Sequence, residues 1–163
     1  MNRYKGFTLI ELMVTIVVLA IIATIAIPNL ANLIDSNRAR SQVNTYRDML
    51  TLARAEAINR GTLVRVSRLG DGQWAVGTAP TMSSCSSNGV IRCFPAPASG
   101  ASVTVSNFPA GGLVFTSQGY VRGMGLNAPA PTVTVTFENQ CQHNRIITVS
   151  PLGRIRSEKG ACS

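Results

Sequence analysis

From Phe7 to Ile27 the chain runs through 21 positions with a single charged residue, Glu11. At about 1.5 Å per residue, a helix of that length spans roughly 30 Å, the hydrocarbon thickness of a bilayer. A carboxylate in such a segment costs on the order of a few kcal/mol even on lenient scales, so its retention points to a partner for it. The nearby cations, Arg3 and Lys5, lie on the far side of Gly6.

A secretory signal peptide also joins a basic start to an apolar stretch, but its apolar region is shorter and ends in a small-residue cleavage site. Here the apolar run continues into further helical sequence. Cleavage between Gly6 and Phe7 would instead remove Arg3 and Lys5 and leave a free ammonium on Phe7, four residues from Glu11. The stretch Lys5-Gly6-Phe7-Thr8-Leu9-Ile10-Glu11-Leu12 closely resembles the prepilin signature of type IV pilins and type II secretion pseudopilins. The resemblance implies that a membrane prepilin peptidase removes residues 1–6 and methylates the new N-terminus at Phe7. It further implies that Glu11 meets the Phe7 ammonium of a neighbouring pilin or pseudopilin when the helices pack into a filament core. The expected division is a leader at 1–6, a transmembrane and filament-core helix at 7–30 and a globular head at 31–163.

With the first 35 or so residues given to membrane and filament contacts, about 125 remain, enough for one domain with a modest core. The chain carries 15 basic and 7 acidic residues; without Arg3 and Lys5 the side chains still sum to +6, from 13 against 7. Thirteen of the 15 cations are Arg, whose guanidinium suits bidentate contact with phosphate or carboxylate. A cationic surface leans toward an anionic partner, although surface Arg also serves solubility.

Retention of the leader's positive charge in the cytoplasm places the head on the outer, periplasmic side of an inner membrane, where disulfides form. Four cysteines, Cys85, Cys93, Cys141 and Cys162, all follow the apolar run and allow three pairings. The favoured pairing joins Cys85 to Cys93 across a Ser-rich loop and Cys141 to Cys162 at the tail. A zinc site is disfavoured, because there is no C-x-x-C pair and Cys141-Gln142-His143 offers too few ligands. No metal or cofactor is expected.

Pro28 removes one helical hydrogen bond and is expected to kink or loosen the helix without ending it. Helical spacing resumes at Val43, Tyr46, Leu50, Ala53 and Ala57, with Arg38, Arg40, Arg47 and Arg54 on other faces. Asn59-Arg60-Gly61 reads as the helix end. The period then falls to two. Residues 62–69 and 73–76 flank Asp71-Gly72 as a hairpin, residues 78–101 read as loop, and strands are predicted at 103–105, 113–115, 132–137 and 145–149. A long N-terminal helix packed on an antiparallel sheet head is an α+β plan.

This order, with Ala53-Arg54-Ala55-Glu56-Ala57 and Ser150-Pro151-Leu152-Gly153-Arg154-Ile155-Arg156, resembles the GspH/FimT branch of the pilin family, which includes FimU-type minor pilins. Gly153-Arg154-Ile155-Arg156 is similar to the Gly-Arg-x-Arg motif of FimT-like minor pilins that bind DNA during natural transformation. On an extended segment Arg154 and Arg156 would project to one face about 7 Å apart, comparable with phosphate spacing along a nucleic-acid strand. Lys159 and Arg145 are candidate additions. The alternative is an edge strand whose outward arginines discourage edge pairing.

No enzyme constellation assembles. The one histidine, His143, has a turn-like setting, and the seven acids are scattered without acid–base spacing. Neither a G-x-S-x-G nor a phosphate-loop pattern occurs. An Asp-rich calcium loop, which marks major pseudopilins, is also missing from the sequence.

Overall fold

The computed structural model describes residues 7–109, 111–125, 127–137 and 144–160. It contains one helix, α1 (Leu9–Arg60), and eight strands among those residues: β1 (Val64–Arg68), β2 (Trp74–Gly77), β3 (Val90–Phe94), β4 (Ala101–Ser106), β5 (Leu113–Phe115), β6 (Thr132–Phe137), β7 (Arg145–Val149) and β8 (Ile155–Lys159). The chain divides into two compact units, Met1–Arg38 and Ala39–Ser163.

In the first unit α1 opens at Thr8, whose Oγ1 accepts the Glu11 N–H at 3.3 Å and so satisfies one orphan donor of the first turn. The segment Leu9–Ile27 has a mean hydropathy of 2.8 and is long and apolar enough to cross a membrane. Its large side chains, among them Leu9, Leu12, Ile16, Leu19 and Ile25, are exposed. The helix continues through Pro28, consistent with the loss of a single bond.

In the second unit the predicted stripe is the buried face of α1: Val43, Tyr46, Leu50, Ala53 and Ala57 are all in the core, joined by Met49. Gly61 ends the helix with φ +63°, a left-handed conformation that costs glycine little. The hairpin falls where expected, β1 pairing antiparallel with β2 in the register Arg68↔Trp74, and the Gln73 N–H donates to Asp71 Oδ1 at 2.9 Å inside the turn.

The strands form two four-stranded antiparallel sheets rather than one, in the orders β3-β2-β1-β5 and β4-β6-β7-β8. The Gly and Pro clusters that separate the strands let the chain cross between sheets, so β5 returns to pair with β1. Inward Val64 and Val66 of the first sheet and Val133, Val135, Ile147 and Val149 of the second are fully buried with Trp74 and Phe115 in one cluster. Full burial of each such aliphatic side chain contributes about 1.5–3 kcal/mol.

The expected loop at 78–101 needs correction, since it contains β3. Val90-Ile91-Arg92-Cys93-Phe94 is rich in β-branched and aromatic residues, and it adds to the exposed edge of β2 in the register Ala75↔Cys93. Ser, Gly and Pro on both sides masked that signal. Cys85 and Cys93 form the disulfide predicted for them, with Cα atoms 5.8 Å apart. Closing so short a loop contributes about 2.5 kcal/mol in the chain-entropy account. Cys141 and Cys162 lie outside the described residues, as does His143.

Tyr46 is fully buried edge-on to Trp74, with ring centroids 6.1 Å apart, yet its hydroxyl has no hydrogen-bond partner among the described residues. Burial pushes the phenol above its ordinary pKa of 10.0, with the Arg68 guanidinium pulling the other way. A raised phenol stays neutral in the folded state while the unfolded one ionises. Its contribution is therefore intact below the ordinary phenol value and is lost as pH rises past that value through the folded one. Tyr46→Phe is expected to stabilise the fold by about 1 kcal/mol at neutral pH, by removing an unsatisfied buried hydroxyl. It should also blunt alkaline unfolding. Thermal melts at pH 7 and above pH 10 test both, and destabilisation at pH 7 would show that the hydroxyl has a partner.

Candidate functional site

Two groups of residues singled out in the sequence fall in the described regions, one in each unit. In the first unit, the polar side chains of the apolar helix are satisfied internally: Thr15 Oγ1 donates to the Leu12 carbonyl at 2.8 Å and Thr24 Oγ1 to the Ile21 carbonyl at 2.7 Å. Such back-bonding lets a hydroxyl sit in an apolar environment without an outside partner. Glu11 is different. Its backbone N–H is capped by Thr8, but its exposed carboxylate has no hydrogen bond or ion pair among the described residues. Phe7, the residue expected to carry the free ammonium, is the most exposed large apolar side chain among the described residues, at 86%. Gly6 lies outside the described residues.

In the second unit, β7 and β8 form a hairpin at one edge of their sheet, with Ser150-Pro151-Leu152-Gly153-Arg154 as the turn. The Ser150 N–H donates to the Arg154 carbonyl at 2.9 Å, and Gly153 donates to the Ser150 carbonyl at 2.8 Å with φ +73°. The Ser150 hydroxyl accepts the Arg154 N–H at 3.1 Å. A second turn, Thr116-Ser117-Gln118-Gly119-Tyr120, repeats this bonding. Thr116 N–H donates to the Tyr120 carbonyl, Gly119 N–H to the Thr116 carbonyl and Tyr120 N–H to Thr116 Oγ1, with Gly119 at φ +79°. Both are three-residue hairpin loops closed by a left-handed glycine.

The twin turns lock together. Val121 N–H donates to the Pro151 carbonyl at 2.9 Å, and Arg54 Nε of α1 donates to the Gly119 carbonyl at 3.2 Å. A Cβ at Gly153 would overlap that same Gly119 carbonyl oxygen. The glycine of the Gly-Arg-x-Arg text is thus required by the fold itself. The repeated hydroxyl-x-x-Gly spacing at 116–119 and 150–153 was the available sequence signal for this pairing.

The four candidate cations divide between two faces. Arg154 precedes β8 and Arg156 lies in it; both are exposed. Register sets Arg156 opposite Thr148 and Ile155 opposite the buried Val149. Alternation then puts Arg156 and Glu158 on the outer face, and Ser157 and Lys159 on the side of Ile155, with Lys159 opposite Arg145. The Arg154 and Arg156 guanidinium groups make no hydrogen bond or ion pair among the described residues, and the only carboxylate on their strand is Glu158.

A long apolar N-terminal helix, a second amphipathic stretch of helix under antiparallel sheets, and an acidic residue in the first helical turn define a pilin-type subunit. Residues 1–27 match the prokaryotic N-terminal methylation motif, and residues 42–153, more than half of the chain, match the family described as type II transport protein GspH. The chain belongs to the GspH family of minor pilin and pseudopilin subunits. It is similar in fold to the type IV minor pilin FimU of Pseudomonas aeruginosa, at 20% identity and TM-score 0.59 over 76% of this chain and 90% of that one. It is also similar to the minor pseudopilin EpsH of the Vibrio cholerae type 2 secretion system, at 17% identity and TM-score 0.52 over 75% of this chain and 97% of that one. The GspH match includes the Gly153 turn and stops before Arg154 and Arg156.

Proposed function

We propose that the chain is made as an inner-membrane prepilin, cleaved between Gly6 and Phe7 by a prepilin peptidase, methylated at Phe7 and inserted into a type IV pilus or a secretion pseudopilus. In this reading residues 1–6 are the leader, 7–30 anchor the subunit and then enter the filament core, and 31–163 form a periplasmic head. As a minor subunit it helps initiate or cap the filament, and its work is packing and contact rather than catalysis. The observation that carries the reading is the carboxylate of Glu11, without a partner among the described residues, in the first turn of an exposed apolar helix whose hydroxyls at Thr15 and Thr24 are satisfied. A neighbouring subunit's Phe7 ammonium supplies what it lacks, since a charge in hydrocarbon requires a counter-charge. Mass spectrometry of protein from sheared filaments is expected to find a chain beginning at methylated Phe7, and Gly6→Val is expected to block processing because the peptidase must approach the backbone closely. An intact Met1 in the filament fraction would overturn the reading.

A second reading, contact with DNA during uptake, is favoured by the exposed Arg154 and Arg156, unpaired among the described residues, on the outer side of an edge hairpin. Binding would be weak, independent of base sequence and sensitive to salt, because neutralised phosphates release counterions. Replacing both arginines with Gln is then expected to lower the slope of log affinity against log salt by about 2, roughly one per lost phosphate contact. Duplex binding by the double variant equal to wild type would assign the pair to edge protection alone. The placement of Lys159 and Arg145 predicts a smaller effect for their substitution.

A further inference from the structure

Between the two sheets lies a cleft of about 330 Å³ that the filament role does not use. Its lining includes Arg68 and Trp74 of the first hairpin, Pro80 and Met82 of the following loop, and Val105 and Phe108 at the end of β4. The size is at the lower end of the range for small-ligand sites, and the walls are apolar and aromatic, as in such sites. Trp74 and Phe108 meet edge-to-face with centroids 6.1 Å apart, which gives the cleft a rigid aromatic side.

Two observations go beyond shape. Trp74 is 1% exposed and its indole N–H has no acceptor among the described residues, although a buried Trp nitrogen ordinarily has one. Arg68, the last residue of β1, continues the inward face of Val64 and Val66 past the end of the core, and its side chain makes no hydrogen bond or ion pair among the described residues. A single cation beside an apolar wall suits an anion of one charge attached to an apolar body.

We propose that this cleft binds an apolar group ending in a carboxylate, with its ring or alkyl part against Trp74, Phe108 and Met82. The carboxylate pairs with the exposed guanidinium of Arg68. The chemistry is shared by free aryl-alkyl acids and by a polypeptide chain that ends in an aromatic residue. A phosphate dianion fits poorly, because one guanidinium leaves half its charge unmatched.

Trp74 is the chain's only tryptophan, so its emission reports the site directly. The full chain in uncharged detergent micelles is titrated with 3-phenylpropionate, with 3-phenylpropionamide, and with Gly-Gly-Phe bearing a free or an amidated C-terminus. The expected result is a saturable change with at least one of the two acids, and binding of its matched amide weaker by about tenfold, the loss expected for one charge-assisted contact. Saturation by the tripeptide alone assigns the site to chain ends, and saturation by phenylpropionate assigns it to free acids as well. Arg68→Gln is expected to bring the acid down to the affinity of its amide while leaving the amide unchanged; the residue is exposed, so the fold is preserved. The absence of a saturable change, equal binding of acid and amide, or an undiminished acid affinity in Arg68→Gln would overturn the proposal. Equally strong competition by inorganic phosphate would do the same.

Discussion

Gly153→Ala is expected to destabilise the head by about 2–5 kcal/mol, a large share of the roughly 5–15 kcal/mol that holds a typical domain together. Two costs add. At φ +73° an L side chain meets its own backbone, at about 1–2 kcal/mol. The added Cβ also overlaps the carbonyl oxygen of Gly119, to which Arg54 Nε donates, and crowds that same Arg54 Nε, while the neighbouring Val121 N–H holds the Pro151 carbonyl. Overpacking against fixed backbone costs a further 1–3 kcal/mol or so. Gly123 provides the control, having φ +77° with nothing within 4 Å of its added Cβ, so Gly123→Ala carries the backbone cost alone. Urea unfolding followed by Trp74 emission measures both variants. Equal midpoints for the two would show that the twin turns do not lock as described.

Glu11→Leu is expected to leave membrane insertion intact or improved and to reduce entry into filaments by at least about tenfold. For an isolated helix the carboxylate is a burden of about 2.5–3.5 kcal/mol on insertion scales, so its loss helps the monomer. In the proposed filament the same change would strand the neighbour's Phe7 ammonium in an apolar core. Removing one partner of a buried pair costs about 3–5 kcal/mol, equivalent to roughly a hundredfold or more in an assembly equilibrium. Glu11→Gln keeps the shape and a hydrogen bond but not the charge, and should fall between Glu11→Leu and wild type. The ratio of subunit in sheared filaments to subunit in the membrane fraction is the measurement. Entry of the Glu11→Leu variant into filaments as readily as wild type would make the carboxylate incidental to assembly.

Local patterns in the chain determine a good deal. The helical spacing of Val43, Tyr46, Leu50, Ala53 and Ala57 identifies the buried face of α1, because a 3.6-residue period leaves one stripe to pack whatever it packs against. Asp71-Gly72 between alternating segments specifies the β1–β2 hairpin, since only a few residues accept that turn's backbone. The apolar run from Phe7 with its lone Glu11 identifies the class of subunit without reference to the head. Cys85 and Cys93, close in sequence across a Ser-rich stretch, were likewise legible.

Contacts between distant segments were decided elsewhere. Val90–Phe94 is a strand because β2 offers it an unpaired edge, a fact that resides in β2 and not in the Ser, Gly and Pro around β3. The split into two sheets follows from β5 choosing β1, a long-range pairing that no local period encodes. Arg145 and Lys159 part from Arg154 and Arg156 because register on β7 assigns alternate residues to opposite faces, and register is a property of the paired strands. The cleft at Arg68 and Trp74 exists only once β4 and the 80–82 loop close over the end of the first hairpin. Its orphan indole N–H is defined by what fails to reach it, and a failure to meet is a fact of three dimensions.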